Sequence, residues 1–410
     1  MSSRKTPLIP LSKGGRNLKP AMLKPPPEID TMDATAPAAT DTRAEALVAS
    51  YERAGYARVQ PAILQPAEPF LDLSGEDIRK RMFLTASPSG EELCLRPDLT
   101  IPVSRDYLTS AAAGRPGSFC YLGPVFRHRA DRPAEFLQGG IESFGRPDKA
   151  AADAEMLAFG LEATAHYGLS QPDIQIGDVA LFAALISALD LPAAWKRRLV
   201  KDFNRKSNLA QDLDRLTLGG ANGRPEYQGV LAALAGADPK GAHALVTDLL
   251  SIAGINAVGG RSVGEIADRF LEQSALGAST KLPREVRSVV ERFLTIAGEP
   301  DQAASELRAL ANEAQMKNAL DPALDAFESR AGFLAAQRID MKRLRFSTAF
   351  SRGFDYYTGF VFEVTDPQRS GEPLVAGGRY DGLLTRLGAA EPIPAVGFAI
   401  WIERLAGGAA

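Results

Sequence analysis

Cysteine is almost absent. Cys94 and Cys120 are the only two among 410 residues, and one distant pair builds neither a disulfide framework nor a zinc site, so a reducing cytoplasm is the expected setting. Histidine is equally scarce: His128, His166 and His243 are too scattered along the chain to argue for a metal cluster. Neither a metal nor a cofactor is expected. Long apolar runs are missing too; none approaches the ~20 residues that a membrane helix requires, which leaves no membrane partner to expect. Nor is there an excess of basic charge. A formal net charge of -3 exerts no global pull on nucleic acid, whose binding rests on neutralising phosphates with lysine and arginine, although a local basic patch stays open.

What is present, 45% hydrophobic and 24% charged residues over 410 positions, suffices for a large core and for two domains. The first forty residues are of another kind. Basic residues without any acid run from Arg4 to Lys24, followed by Pro25, Pro26 and Pro27 and by the alanine- and threonine-rich TMDATAPAAT. Residues 1–42 therefore read as a disordered tail, and the prolines would interrupt the amphipathic helix of a transit peptide. Order is expected from DTRAEALVASYERAGYARV, with apolar residues at helical spacing from Ala44 to Tyr51, then Gly55, then an extended run from Tyr56 to Leu64. Between Gly177 and Lys342 leucine and alanine recur at three- and four-residue spacing, as in VALFAALISALDLPAAWKRRLVKDF, with breaks such as LGGANGRPEYQG. That texture is helical. Its WKRR, Trp195 to Arg198, reads as a solvated helix face more readily than as a nucleic-acid patch.

Chemistry concentrates in SRGFDYYTGFVFEV, Ser351 to Val364. FVFEV alternates with a period of two, so Phe360, Phe362 and Val364 share one strand face while Val361 and Glu363 share the other. Ahead of it Arg352, Asp355, Tyr356 and Tyr357 crowd polar and amphipathic groups into six residues. If that segment is extended, the two tyrosines point to opposite faces, one ring packed and the other offering its hydroxyl to a cavity. An aromatic-rich core strand with a surface arginine accounts for the same letters. In LVAGGRYDGLL, Gly377 and Gly378 suit a tight turn or a close approach of backbone to ligand, and Arg379, Tyr380 and Asp381 follow directly.

Earlier in the chain, Pro97 of LRPDLTIPVSR biases Arg96 away from helix, so Asp98 and Thr100 are expected to project from an extended segment onto one face. A carboxylate there can hold an ammonium group. In FLQGGIESFG, Gln138 and Glu142 flank two glycines, and an amide with a second carboxylate can complete recognition of an α-amino group or an imidazole N–H. A surface salt bridge would also account for each acid. Arg127 in YLGPVFRHR, Arg352, and Arg404 in PAVGFAIWIERL carry the planar fork that pairs with a carboxylate or phosphate through two parallel hydrogen bonds.

In this order the six segments resemble the histidyl-tRNA synthetase core, a class II synthetase fold, and more closely its truncated paralogue family, the regulatory subunits of ATP phosphoribosyltransferase. The likeness covers roughly Arg43 to Gly177 and Arg345 to Leu405, and ordered motifs are far more specific than any one of them. The fold implied is α+β, a class II aminoacyl-tRNA synthetase-like antiparallel sheet flanked by helices. Its core would come in two parts, 43–177 and 343–410, around a helical insertion domain, 178–342, with no anticodon-binding domain. The helix and strand after Asp41 look like motif 1, the dimer interface of class II synthetases. Here Pro61 stands one place before the family's proline, and Gln65 replaces its glutamate.

By that match Asp98, Thr100, Gln138 and Glu142 line a histidine pocket together with Arg127, Arg352, Tyr356, Tyr357 and Tyr380. Arg127 corresponds to the motif 2 arginine that contacts the α-phosphate and the substrate carboxylate, and Arg404 to the motif 3 arginine that holds ATP, so both are candidate nucleotide ligands. Arg352 corresponds to the arginine used beside the activated carboxylate. Two departures separate the chain from a synthetase. The loop HRADRPAE, His128 to Glu135, is short and lacks the usual arginine before its closing phenylalanine, with Arg129 or Arg132 as substitutes. Only AGGAA follows Leu405, where a synthetase continues into an anticodon-binding domain of about one hundred residues; no tRNA partner is expected. The resemblance implies a non-catalytic regulatory subunit, with no catalytic residue of its own, acting in the cytoplasm. Its partner would be the short-form catalytic subunit of ATP phosphoribosyltransferase, with free histidine as effector and a homodimer within a hetero-oligomer as the assembly. The alternative is a truncated synthetase-like enzyme that activates histidine with ATP. A free-standing class II-like ligase or amino-acid sensor also stays open, because function resides in the site and not in the fold.

Overall fold

The computed structural model describes residues 41–74, 78–218, 239–252, 257–258, 261–262, 281–369 and 371–407. Residues 1–40, nearly all of the expected tail, lie outside that set, and Thr42 already opens a helix. In α1 (Thr42–Arg53) the apolar Ala44, Leu47, Val48 and Tyr51 recur at three- and four-residue spacing and are all buried, as an amphipathic stripe requires. Gly55, at φ +97°, ends it in a left-handed turn in which the Tyr56 amide donates to the Tyr51 carbonyl at 3.0 Å. The extended run expected from Tyr56 to Leu64 is broken. Only β1 (Ala57–Arg58) and β2 (Leu64–Pro66) pair as strands, because Pro61 between them has no amide to give and its carbonyl is taken by the Arg96 guanidinium.

After the short α2 (Glu68–Leu73), the hairpin of β3 (Phe83–Ala86) and β4 (Glu92–Leu95) joins β2 in a small sheet of order β2-β4-β3. Then come α3 (Thr100–Thr109), β5 (Gly117–Phe126), β6 (Glu135–Phe144), α4 (Lys149–His166) and β7 (Asp173–Asp178). The expected helical stretch contains α5 (Val179–Ala188), α6 (Ala193–Asp202), α7 (Lys206–Leu218), α8 (Pro239–Ile252), α9 (Arg284–Thr295), α10 (Pro300–Glu313) and α11 (Lys317–Ala336). It also holds three short strands that periodicity did not signal, β8 (Ala257–Val258), β9 (Arg261–Ser262) and β10 (Ala297–Gly298). The chain closes through β11 (Leu344–Ser347), β12 (Phe360–Thr365), β13 (Val375–Arg379), α12 (Leu383–Arg386), β14 (Ala395–Trp401) and α13 (Ile402–Leu405).

Among the described residues nine strands form the main sheet, in the order β1-β5-β6-β14-β13-β12-β7-β11-β10. Its central joins are antiparallel, while β1 with β5 and β7 with β11 run parallel. The sheet is therefore mixed at its flanks. A parallel pair needs a long crossover, and the helical excursion from α5 to α11 is the one that separates β7 from β11. The run with period two is strand β12, and both of its faces are covered: Val361 is buried as fully as Phe360, Phe362 and Val364, and only Glu363 and Thr365 are partly exposed. A central strand covered on both faces has no wet side.

Alternation along the strands divides the apolar side chains into two layers. Leu157, Phe182, Phe293 and Phe327 of the long helices pack with Ile141, Phe362 and Phe398. Phe70, Tyr107 and Leu383 pack with Tyr121, Phe144, Ala376 and Trp401. In α6 Trp195 joins the core, Lys196 binds the Ser187 carbonyl, Arg198 pairs with Asp212 and Arg197 faces solvent, which leaves little of WKRR as a continuous basic patch.

A buried ionic chain ties these layers together. Arg330 of α11 binds Asp153 of α4 at 3.2 Å and also Asp178, whose other oxygen caps α5 at the Ala180 amide, 2.9 Å away. Asp153 in turn accepts from Nε of Arg379 at 2.8 Å, and Arg379 reaches Asp381 and the Lys149 carbonyl. All four central members are at least nine-tenths buried. Removing one partner strands a charge out of water, so Asp153→Ala should cost about 3–5 kcal/mol. Urea unfolding measures it, and a loss below about 1 kcal/mol would show that the chain of pairs does not brace the fold.

Candidate functional site

Glu142 lies towards the C-terminal end of β6, opposite Gly397 of β14, and has no exposed surface. Its carboxylate accepts hydroxyl hydrogen bonds from Thr100 at 2.7 Å, Tyr121 at 3.1 Å and Tyr380. Strand contacts at normal spacing leave no room for a second side chain there. A Cβ at position 397 would run into the Glu142 carboxylate, and one at 377 would meet the Phe398 side chain and the Gly397 carbonyl. Gly377 thus serves a close approach of two strands, within β13, and not a turn or a ligand contact.

Thr100 and Tyr380 of this network, though not Glu142 itself, belong to the wall of a cavity lined by Asp98, Thr100, Arg127, Gln138, Arg352, Tyr356, Tyr357 and Tyr380, with Phe354, Trp401 and the β13 and β14 backbone completing it. Its empty space, the open mouth included, is about 340 Å³. Residues separated by about 300 positions, Asp98 and Trp401, meet here; the four segments named from sequence chemistry converge with β13 and β14 on one place. Arg404 is not part of the lining. It donates to the Pro373 carbonyl at 2.7 Å and stands 4.8 Å from the Trp401 ring, with Glu372 at 3.4 Å.

Two local expectations are corrected. Asp98 and Thr100 do not project from one extended segment, because the chain turns helical at Thr100, the first residue of α3. Asp98 is bound into that turn, one oxygen accepting from the Ile101 amide at 3.1 Å, as a helix-capping acid does. Gln138 fixes the same turn by accepting from the Leu99 amide at 3.1 Å. The tyrosines do not alternate across a strand either. Residues 351–359 run through turns and bends, so both rings reach the cavity, their centroids 4.8 Å apart, Tyr356 buried and Tyr357 half-buried. Tyr121, Phe354 and Trp401 were missed. Tyr121 was legible in principle, since even spacing along β5 puts it on the same face as Arg127.

The electrostatics are those of a dry, polar chamber. Burial pushes the Glu142 carboxyl up to about 8, against the three hydroxyl donors that favour its charge. Burial also raises Asp98, with the Arg127 guanidinium opposing, and lowers Arg127 to about 10 with Asp98 opposing. Three groups remain open. The second Asp98 oxygen and Nε of Arg352 are buried with no hydrogen-bond partner, and Arg127 uses only Nε, on the Pro97 carbonyl at 2.7 Å. Buried polar atoms are nearly always paired, so unpaired ones of opposite sign in one cavity mark where a ligand's charges belong. The neighbouring arginines differ. Arg129 is held by Glu403 and the Pro133 carbonyl and lies 4.2 Å from the Phe136 ring, and Arg132 pairs with Glu372 at 2.6 Å. Among the described residues no group of acids, cysteines and histidines is arranged to hold a metal ion.

Comparison with known proteins shows the family. The sequence model of the histidyl-tRNA synthetase family matches residues 30–261 and 239–405. The ATP phosphoribosyltransferase regulatory subunit of Brucella ovis is 42% identical over 351 residues, 85% of this chain and 92% of the relative; that of Brucella abortus is 42% identical over 85% and 91%. The chain belongs to the family of ATP phosphoribosyltransferase regulatory subunits. Members of this family share the class II, histidyl-tRNA synthetase-like fold, and two solved structures have it. An ATP phosphoribosyltransferase regulatory subunit/histidyl-tRNA synthetase from Bacillus halodurans aligns with a TM-score of 0.62 at 22% identity, over 90% of this chain and 77% of that one. A histidine-tRNA ligase subunit from Alicyclobacillus acidocaldarius aligns with a TM-score of 0.52 at 25% identity, over 97% and 98%.

The raised Glu142 value has a sign that can be tested. Between about 4.5, the ordinary carboxyl value, and about 8 the folded protein holds a proton that the unfolded chain has lost. Stability from this group is complete below that window and is lost as pH rises through it. Urea unfolding of the ligand-free protein should show a fall of at most about 1.4 kcal/mol per pH unit there, relative to Glu142→Gln. Parallel profiles for the two proteins would refute it.

Proposed function

We propose that this chain is a non-catalytic regulatory subunit of ATP phosphoribosyltransferase that binds free histidine. The observation that carries the proposal is the complementarity of the unpaired groups: an acceptor on Asp98 and donors on Arg352 and Arg127, all facing one cavity. A free amino acid at neutral pH brings an ammonium for the first and a carboxylate for the second, with charge-assisted hydrogen bonds at both ends. Tyr380, its hydroxyl held by Glu142, then meets the side chain between the walls of Tyr356 and Tyr357. Thr100 and Gln138 shape the ammonium end. A short-form catalytic subunit would carry out the phosphoribosyl transfer in the cytoplasm and depend on this subunit for activity. Histidine inhibits in such a complex only by binding more tightly to its less active arrangement, and the coupling is reciprocal, so substrates weaken histidine binding.

The readings separate experimentally. Histidine, and no amino acid without an imidazole, should raise the melting temperature by mass action. Asp98→Ala and Arg352→Ala should each weaken its binding about 10- to 100-fold, the worth of a hydrogen bond to a charged group. The complex with the catalytic subunit should lose both activity and histidine sensitivity when this chain is left out; unchanged behaviour would overturn the proposal. Robust histidine-dependent exchange of pyrophosphate into ATP would favour the synthetase-like alternative, whose nucleotide would rest on Arg127 and Arg404. Against it stand Glu372 and Glu403, which already hold Arg132 and Arg129, although Nε of Arg404 is buried without a hydrogen bond.

Assembly as a homodimer within the larger complex is part of the same proposal. Ile63, Leu64 and Leu84, on or beside the small sheet that follows α1, are 43–50% exposed, and a self-complementary contact is the commonest way to cover such a surface. Leu64→Glu should convert the dimer to monomer in sedimentation without lowering the melting temperature of the subunit. A sedimentation coefficient identical to that of the unaltered chain would exclude this surface.

A further inference from the structure

The segment that brings Arg352, Phe354, Tyr356 and Tyr357 to the cavity is held by side chains alone. From Ser351 to Tyr357 no backbone amide donates to a backbone carbonyl, whereas the flanking amides of Phe350 and Thr358 do, to Ser347 and Arg379. On the inner side the ties are rings and one ion pair: Tyr356 on Tyr380 at 5.7 Å, Tyr357 on Tyr380 at 6.4 Å, and Arg352 with Glu363 at 2.9 Å. On the outer side three hydrogen bonds reach the segment. Arg205 meets the Asp355 carboxylate at 3.1 Å, Asn204 donates to the Phe354 carbonyl at 3.4 Å, and Arg386 donates to the Asp355 carbonyl at 3.4 Å.

Two of those three come from the turn between α6 and α7, which is itself rigid. The Arg205 amide donates to the Asp202 carbonyl at 2.8 Å, and its carbonyl accepts from the amides of Asn208 at 2.8 Å and Leu209 at 3.0 Å. Phe203 beside it is buried and stacked on Phe182 at 4.4 Å. The Arg205 side chain therefore leaves from a fixed base. Its guanidinium stands between two carboxylates, Asp202 of its own turn at 3.3 Å and Asp355 of the segment at 3.1 Å. Withdrawal of the segment breaks the second contact and leaves the first.

We infer that Arg205 is a positioning residue for the cavity and the link between that cavity and helices α6 and α7. By holding Asp355 it keeps the segment where Arg352 and Tyr357 face the ligand. The inference rests on the reading of the cavity as a histidine site and deepens it into a mode of regulation. A ligand that favours the closed segment strengthens the Arg205 contact, and any event that displaces the α6–α7 turn alters ligand affinity by the same factor. Because the ion pair is partly exposed, it adds little to global stability. Its effect belongs to affinity.

Histidine titration calorimetry on the full chain tests this with Arg205→Ala, Asp355→Asn and the double variant. Each single replacement should weaken binding about three- to tenfold at an unchanged melting temperature, and the double should be no weaker than the worse single. Arg205→Lys should recover part of the loss. Chymotrypsin supplies an arm that needs no ligand: cleavage at Phe354 to Tyr357 should become several times faster in Arg205→Ala, since it follows the population of the open segment. Unaltered affinity together with unaltered cleavage, or fully additive losses in the double variant, would overturn the link. If the unaltered chain binds no histidine, the functional reading falls, while the cleavage rates still decide the role of Arg205.

Discussion

A carboxylate with no access to water, satisfied by three hydroxyl groups from three other parts of the chain, sets the geometry of this molecule. Glu142 can occupy the centre of the sheet only because β6 and β14 pair in the register that puts Gly397 opposite it. Its donors impose further conditions: Tyr121 must cross the bare backbone of Gly140, Thr100 must stand at the start of α3, and Tyr380 must follow β13. A buried carboxylate lacking such partners would be strongly destabilising. The polar network and the strand register therefore specify one another.

Around that centre the charges divide into two populations. Arg129 and Arg132 are answered at close range by Glu403 and Glu372 within the protein, whereas Arg404 has Glu372 at 3.4 Å and keeps a buried Nε without a hydrogen bond. Asp98, Arg127 and Arg352 keep unanswered atoms in a low-dielectric chamber, where an ion pair with a ligand is stronger than in water and an unpaired charge is costlier. A ligand carrying an ammonium and a carboxylate, as the proposed histidine does, would answer those atoms.

The scaffold and the movable part are built differently. The Arg330, Asp178, Asp153 and Arg379 chain joins α11, α5, α4 and β13 through buried contacts and ends one residue before Tyr380, so the floor of the cavity is braced by the helical layer. The segment from Ser351 to Tyr357 has no backbone ladder and depends on side chains from α6–α7, α12 and the rings of the site. Rigid donors beneath and a side-chain-tethered wall above are what a regulatory pocket needs if occupancy is to be felt elsewhere.

Much of this was legible in the linear order of residues. The stripe of Ala44, Leu47, Val48 and Tyr51 determined α1, leucine and alanine spacing determined the helical stretch, and residue type marked Asp98, Gln138, Glu142, Arg127 and Arg352 as polar candidates, because charge and hydrogen-bonding capacity are properties of single side chains; their grouping with Tyr380 came from the order of the motifs. Other features were decided only by folding. Thr100 begins a helix and residues 351–359 curl into turns, since capping by Asp98 and the tethers of Asp355 outweigh local extended preference. Val361 is as buried as Phe360 and Phe362 on the opposite face, because a strand's exposure depends on what covers its sheet. Arg205 could not be foreseen at all: its partner lies 150 residues away, and contacts that close so long a loop leave no periodicity in the sequence.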